Sequence, residues 1–543
     1  MPTVADVLVD GLRRAGVQRI FGVPGGGSNL ELLEAARGQG LPFVLCHQES
    51  AACIMAAVTG ELTGAPGAAL STLGPGVAAS STGLTHAFLD RSPLIYLSDR
   101  HPAALLDFAT HQAFDHAAFL TPVVKGSLAV SAESAAHWIA HAAQLAMKEP
   151  RGPVHLDLPA DIAGRPAVPI APVPTPVPLP HPDAADLDRA AAMIRQARRP
   201  VVVAGLQCRG AEAKWLRAFA EALPAPVLTT YKAKGALPDP HPLAMGVFTG
   251  GVLEEPVVSR ADLIIAFGLD TVELIPRRWS YTAPVLSLVR GPSQGGAGYF
   301  TPALEVVGDL GVMLEELAPR LHQHHADWDV AEVDRLRRER QRALEIGVPG
   351  LAPHRVVQLT RELTQAGTIA TVDAGAHMFQ AAEYWQAVEP GEFLISNGLA
   401  TMGFALPAAI AAQLVCPEQR VVCFTGDGGF MMVAAELETA VRLRLPITVI
   451  VFNDAALSLI EIKQEQKGYA GASMRYAGPE LAAMARAFGW RAFDAASEPE
   501  LGRALTAALA GAGPALIAAR IDASGYRRTL EIVRGAPPGS GAA

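Results

Sequence analysis

Cysteine is scarce in this sequence and carries no pattern. The five cysteines, Cys46, Cys53, Cys208, Cys416 and Cys423, are odd in number and scattered over 543 residues without a CxxC spacing. That excludes a disulfide framework. Four of them sit in apolar runs, so buried reduced thiols and a cytoplasmic protein are expected. A long basic run is also missing and the net charge is −9, which speaks against a nucleic-acid partner. No uncharged apolar segment reaches transmembrane length, so no membrane span is expected. The start of the chain shows no signal-peptide pattern: Val4, Val7, Leu8 and Leu12 are spaced as one face of an amphipathic helix. No sequence repeat is visible.

What is present is apolar material and punctuation. Half the residues are hydrophobic, with 51 glycines and 42 prolines. At a prior of ~150 residues per domain the length implies about three domains with large cores. Residues 1–165 alternate helix and strand, with strands expected at Ile20–Val23, Phe43–Cys46, Ala68–Thr72 and Leu94–Leu97. Such alternation implies a parallel sheet covered on both faces. Residues 166–182 carry proline at nearly every second or third place and are expected to be an extended linker. A middle domain, 183–320, has strands at Val201–Ala204, Val227–Thr230, Leu263–Phe267 and Val285–Leu288. A charged stretch, Ala331–Leu344, reads as a solvated helix. The last domain spans 350–525, and 526–543 reads as a tail whose GAPPGSGAA end is disordered. The fold class is therefore α/β, with three Rossmann-like parallel-sheet domains.

The chain is organised around one stretch of the last domain. Arg420–Phe424 reads as a buried strand, followed by the tight turn Gly426-Asp427-Gly428-Gly429. A helix follows, with Met432, Leu437, Ala440, Val441 and Leu443 along one side, and then a second buried strand, Ile447–Phe452, ending at Asn453-Asp454. Two parallel strand ends bring Asp427 and Asp454 to one edge of a sheet, beside a helix N-terminus. Hard oxygen ligands there suit Mg²⁺, and the ion with the helix dipole suits a diphosphate.

Other segments carry chemistry in combination. His47-Gln48-Glu49-Ser50 places a carboxylate just after a buried strand, which on its own reads equally as an N-cap or a solvated acid. The loops Gly22-Val-Pro24-Gly25-Gly-Gly27 and Thr72-Leu-Gly-Pro-Gly76 each follow an expected strand. Further on stand Thr110-His111-Gln112, Asp373-Ala-Gly-Ala-His377 and Asn397-Gly-Leu-Ala400-Thr-Met402-Gly-Phe-Ala-Leu-Pro407.

Taken together these segments resemble the thiamine diphosphate-dependent enzymes of the acetolactate synthase, pyruvate oxidase and benzoylformate decarboxylase type. That family's fingerprint is GDG followed, about two dozen residues on, by Asn-Asn or Asn-Asp. The acetolactate synthase-like branch is the nearest, and the resemblance covers nearly the whole chain. It implies a pyrimidine-binding first domain, a central domain and a diphosphate-binding last domain. Asp427 and Asp454 would bind Mg²⁺ through side chains and Ala456 through its carbonyl. Asp454 stands where many relatives carry Asn. Pro24, Gly25, Thr72, Gly76, Gly426, Gly428 and Gly429 would line the cofactor.

By the same resemblance Glu49 would hydrogen-bond N1′ of the aminopyrimidine, and Met402 would wedge between the cofactor's two rings. Ala400, in place of the usual glycine, would accept from N4′. His377 is either a phosphate donor or a satisfied structural histidine. Gln112 is either a substrate-side residue or a surface loop. The segment STGLTHAFLDRSPLI, ending at Ile95, is similar to a helix-to-strand segment of the family. With the LGPG and THQ segments it also resembles carboxyethylarginine synthase.

Two departures qualify the resemblance. FAD-containing acetolactate synthases carry an ARFDDR-like stretch where this chain has Ala266–Trp279, which leaves FAD doubtful. Lys463 occupies the place of a tryptophan that reads the acceptor, and is either a cation for an anionic substrate or a solvated helix charge. The paired active-site histidines of pyruvate decarboxylases are also absent. The implied activity is decarboxylation and carboligation of a small 2-oxo acid such as pyruvate, in a homodimer or homotetramer with sites between chains. The alternatives are an acyl-CoA, a cyclic diketone or a glyceraldehyde phosphate as donor, or a non-catalytic paralogue.

Overall fold

A computed structural model describes residues 1–168, 178–291, 298–321, 326–470 and 473–535. It contains three six-stranded sheets in which every pairing is parallel. The first holds β1 (Ile20–Val23), β2 (Phe43–Leu45), β3 (Gly67–Ser71), β4 (Leu94–Arg100), β5 (Ser127–Ala129) and β6 (Pro153–Pro159) in the order 2-1-3-4-6-5. The second holds β7 (Pro200–Ala204), β8 (Val227–Thr229), β9 (Ala244–Val247), β10 (Leu263–Phe267), β11 (Val285–Val289) and β12 (Leu304–Val307). Its order is 12-11-10-7-8-9. The third holds β13 (Ile369–Val372), β14 (Phe393–Ile395), β15 (Val421–Gly426), β16 (Thr448–Asn453), β17 (Arg491–Ala495) and β18 (Ala515–Arg520), in the order 14-13-15-16-18-17. Counted from its own first strand, the third sheet repeats the order of the first.

The central strands are unbroken apolar runs because helices cover both faces. Val201, Val202, Val203 and Ala204 are buried, as are Val421 to Phe424. The first helix, Val4–Arg14, buries Val4, Val7, Leu8 and Leu12 as their spacing predicts. Thr3 caps it by accepting from the Asp6 N–H, and Asp6 reciprocates at the Thr3 N–H. The cysteines are unpaired, four of them buried. Among the described residues no helix is long and apolar enough to cross a membrane.

By packing the chain forms two compact units. One is Met1–Pro178 with Gly398–Glu418 and Phe430–Ile447; the other is Leu179–Asn397 with Gln419–Gly429 and Thr448–Ala543. In the first unit, helix Ala405–Val415 from the last third of the chain packs on helix Glu49–Thr63. It is buried over most of its circumference, as a helix that is apolar all round must be. Gly67 lets β3 approach the same helix closely, since a Cβ there would collide with the Ala56 carbonyl.

Several expectations change. The single helix after Asp427 is two, Asp427–Met432 and Glu436–Arg442, and Met432 is exposed. The charged connection forms helix Val330–Ala343, but Val333, Leu336 and Arg340 are buried, and Arg340 pairs with Glu383. It is solvated on one face only. Residues 526–534, read as part of a tail, form helix Tyr526–Arg534, whose Tyr526, Leu530 and Val533 join the core of the third sheet. Their helical spacing was a legible signal. Residues 169–177 of the proline-rich segment and the end of the chain from 536 lie outside the described residues.

Candidate functional site

β15 and β16 are neighbours in register, Gly426 opposite Phe452. The chain leaves both strands at the same edge, so Asp427 and Asp454 each directly follow the end of one of two paired strands. The structure ties them together. Asp427 is buried; its Oδ2 accepts the Ala455 N–H at 2.7 Å, reaching directly into the loop after β16. Its Oδ1 accepts from the Tyr476 hydroxyl at 2.8 Å and from the Gly428 N–H at 2.8 Å. Asp454 accepts from the Ser458 hydroxyl. Burial, against the Ser458 hydrogen bond and reinforced by the Asp427 charge, pushes the Asp454 carboxyl up to about 6. Asp427 is buried and Asp454 half-buried, the charge of the first acts on the second, and their hard oxygens fit a divalent ion.

Helix Asp427–Met432 is too short to supply the dipole expected of it, and the Gly428 N–H is taken by the Asp427 side chain. Among the described residues no group of three or more His, Cys, Asp or Glu side chains forms a metal cluster. An ion at these two acids would thus need oxygens from backbone or ligand. Ala456, the carbonyl candidate, follows directly on Ala455, which adopts the left-handed conformation at φ 54°.

His377 is buried and stacks on Phe452 at 5.0 Å. Burial pushes its pKa down to about 4, against a hydrogen bond to the Phe424 backbone carbonyl. A carbonyl only accepts, so the neutral ring spends its one proton there and its unpartnered Nε2 is left as an acceptor. That favours the structural reading of His377 over the phosphate donor. Asp373, at the end of β13, is buried and accepts from Thr425 Oγ1 at 3.0 Å.

The first unit assembles the other set. Glu49 is the first residue of helix Glu49–Thr63 and is half-buried. The two residues before it donate their N–H groups to Glu436 Oε1, at 2.9 Å from His47 and 3.1 Å from Gln48. Glu436 is fully buried, which raises its pKa against hydrogen bonds from Thr439 and from those two N–H groups. The Gly25 and Thr72 loops touch: a Cβ on Gly25 would overlap the Thr72 side chain, and the Gly25 N–H is held by Asn29 Oδ1 at 2.9 Å. Pro24 precedes that contact, and Gly76 packs back on Thr72. Asp99, at the end of β4, accepts from the Ser28 N–H and hydroxyl at 3.1 and 2.9 Å and fixes the end of the glycine loop.

Gln112 is exposed, with a left-handed φ of 56°, and lies on the Gly74 turn. It lines a cavity of about 450 Å³ with Leu73, Arg100 and His116. Met402 is half-buried, in a loop seated on helix Ser81–Leu89: Gly398 touches the Leu89 carbonyl and Phe404 lies 4.9 Å from His86. Ala400 in that loop has φ 53°, a conformation costing an L-residue roughly 1–2 kcal/mol and natural to the glycine it replaces.

Lys463 is exposed on helix Ser458–Gln466. Glu461, Ile462 and Glu465 of that helix, not Lys463, line the cleft of about 960 Å³ beside Asp454. The solvated reading of that lysine is the better one. Tyr476, Ser458, Glu436 and Asp99 escaped the sequence reading. Only Asp99, ending an apolar strand beside other loop residues, had a local signal.

Three parallel sheets, two of them with one strand order, and paired acids at a strand edge fit the three-domain, thiamine diphosphate-binding enzyme that the sequence resembles. Family models agree: the N-terminal TPP binding domain of thiamine pyrophosphate enzymes matches residues 2–119, the central domain 187–317 and the C-terminal TPP binding domain 373–519. The chain belongs to the thiamine pyrophosphate-dependent enzymes, in their acetolactate synthase-like branch. It is 32% identical over 537 residues to the catabolic acetolactate synthase of Raoultella terrigena, covering 95% of each chain. It is 29% identical to the acetolactate synthase of Bacillus subtilis (96% and 93% covered). With the isozyme 2 large subunit of Escherichia coli the identity is 30%, over 95% of each chain.

Proposed function

We propose that this enzyme decarboxylates a small 2-oxo acid, pyruvate or a close relative, and joins the product to a second carbonyl compound, using thiamine diphosphate and Mg²⁺ in the cytoplasm. The observation that carries the reading is the pair of Asp427 and Asp454, linked through the Ala455 N–H, with burial and the Asp427 charge both raising the Asp454 pKa. Thiamine diphosphate supplies a thiazolium carbon that adds to a ketone and takes up the electrons released with CO₂. The chain's residues hold it and manage protons. Asp427 and Asp454 would bind Mg²⁺ with the Ala456 carbonyl, the Gly426–Gly429 turn facing the diphosphate. Glu49 would share a proton with the aminopyrimidine, its approach fixed by Glu436. Met402 would hold the rings apart, and Ala400 would accept from the amino group. Pro24, Gly25, Thr72 and Gly76 would line the pyrimidine, and Gln112 would face the substrate.

The domains are assigned accordingly: 1–165 to the pyrimidine, 183–320 to the centre, and 350 through the helix ending at Arg534 to the diphosphate. The test is removal and return. Extensive dialysis against a chelator should abolish CO₂ release from pyruvate, and thiamine diphosphate with Mg²⁺ should restore it together. Product mass then separates ligation from simple decarboxylation. Full activity in the stripped protein would overturn the reading, as would Asp427→Ala retaining cofactor affinity.

A further inference from the structure

The second sheet, counted from β7, has the order 3-2-1-4-5-6 from β9 to β12. In a sheet of that order the chain reverses direction between its first and fourth strands, here β7 and β10. Dinucleotides bind in the crevice outside that point, with the pyrophosphate on the N–H groups of the first turn. The FAD-containing members of the branch make flavin the expected occupant, so the donors of this turn decide whether one fits.

From Gly205 to Arg209, each N–H of the turn after β7 is engaged. The Gly205 N–H goes to the Phe267 carbonyl at 2.9 Å, and the Gln207 N–H to the Gly268 carbonyl at 3.0 Å, both across the switch point. The Cys208 and Arg209 N–H groups close the turn on the carbonyls of Gly205 and Gln207. The fifth of these, Leu206 N–H, donates to Glu273 Oε2 at 2.8 Å. The same carboxyl group accepts from the Thr230 hydroxyl after β8 and from the Asp270 N–H at 3.3 Å. It comes from the turn Thr271–Glu273 after β10, capped by Asp270 and tied by its Glu273 carbonyl to Asn397 Nδ2 at 3.3 Å. Glu273 is buried. At the mouth, Glu212 in the first turn of helix Ala211–Ala222 is paired with the buried Arg290, whose N–H is held by Gln207 Oε1 at 2.8 Å.

The Glu273 carboxyl group thus occupies the Leu206 N–H, one of the donors a pyrophosphate uses in a turn of this kind. An incoming dinucleotide would have to expel a buried acid, break its three hydrogen bonds and part the two turns. We propose that Glu273 is an internal substitute for a cofactor phosphate, so that the central domain holds no dinucleotide, flavin or nicotinamide, and the enzyme works without one. The flavin of the branch does not fit these residues.

The test uses the full-length protein, purified without added flavin and loaded with thiamine diphosphate and Mg²⁺. Acid release should yield no stoichiometric flavin. Calorimetric titration with FAD, NAD⁺ or ADP-ribose should give no saturable heat, and none should raise the melting temperature. Glu273→Ala, which frees the Leu206 N–H, should acquire measurable ADP-ribose binding. Glu273→Gln, which keeps an oxygen on that N–H, should not. Stoichiometric flavin or saturable dinucleotide binding by the wild type overturns the proposal. So does Glu273→Ala that folds, by its melting curve, yet binds ADP-ribose no better than wild type. If Glu273→Ala does not fold, the wild-type titrations decide. Thiamine diphosphate binding, read by circular dichroism on the same preparation, reports separately on the proposed function. A folded chain that binds neither ligand sinks that reading and leaves this one standing.

Discussion

Glu49 shows how far a single residue can be read. Its place after a strand and before an alanine-rich helix was legible, because β2 and helix Glu49–Thr63 are both plain in the residue pattern. What holds it was not: Glu436 lies 389 positions from His47, and no local pattern announces a partner so distant. The same limit hid Tyr476, which reaches Asp427 from 49 positions downstream. Ala400 is the reverse case, where the substitution was visible and its backbone cost was not. Glu49→Gln should leave the melting temperature unchanged, since an amide fits the same half-buried site. Turnover should fall by about two orders of magnitude or more, the scale of general acid–base contributions. Steady-state rates at saturating thiamine diphosphate measure this, and near-wild-type turnover would remove Glu49 from the chemistry.

At the scale of elements, strands were easier to read than helices. A parallel strand covered on both faces is a continuous apolar run, as β7, β10, β15 and β16 are. Where the run is short or broken, as in β5 and β17, the signal disappears. The stretch after Asp427 reads as one helix, not two, because the exposed Met432 imitates part of a buried face.

The turn Thr271–Glu273 gives an element-scale prediction. Burial pushes Glu273 up to about 8, against its hydrogen bonds from Thr230 and Leu206 and helped by Asp270. Of its other titrating neighbours, the Cys208 thiol is raised far beyond this range by its own burial. The folded chain therefore keeps a proton that the unfolded chain releases above the ordinary carboxyl pKa. This contribution to stability is greatest at acid pH, declines as pH rises toward 8 and is exhausted beyond. Between pH 6 and pH 9 the wild type should lose more melting temperature than Glu273→Gln, which cannot titrate. Parallel melting curves for the two proteins would show that Glu273 is ionised throughout.

On the scale of the molecule, the first and third sheets share one strand order without any repeat in the sequence. Order is set by where apolar runs and turns fall, and many residue choices satisfy the same pattern. The pattern does not disclose assembly, but the surface of the first unit does bear on it. Phe108 is 72% exposed, Phe114 42% and Phe119 44%, with Leu105 and Leu106 beside them in sequence. Large apolar side chains gathered in one surface segment mark an interface more often than a free surface. Gln112 and the cavity it lines belong to the same segment, so a partner covering it would bear on the site as well. The enzyme should sediment as a homodimer or homotetramer at assay concentration. Phe108→Glu with Phe114→Glu should weaken association and lower activity in parallel, since charges buried at an interface core are costly. A fully active monomer would break the link between assembly and catalysis, and a dissociated variant with undiminished turnover would break it at this surface.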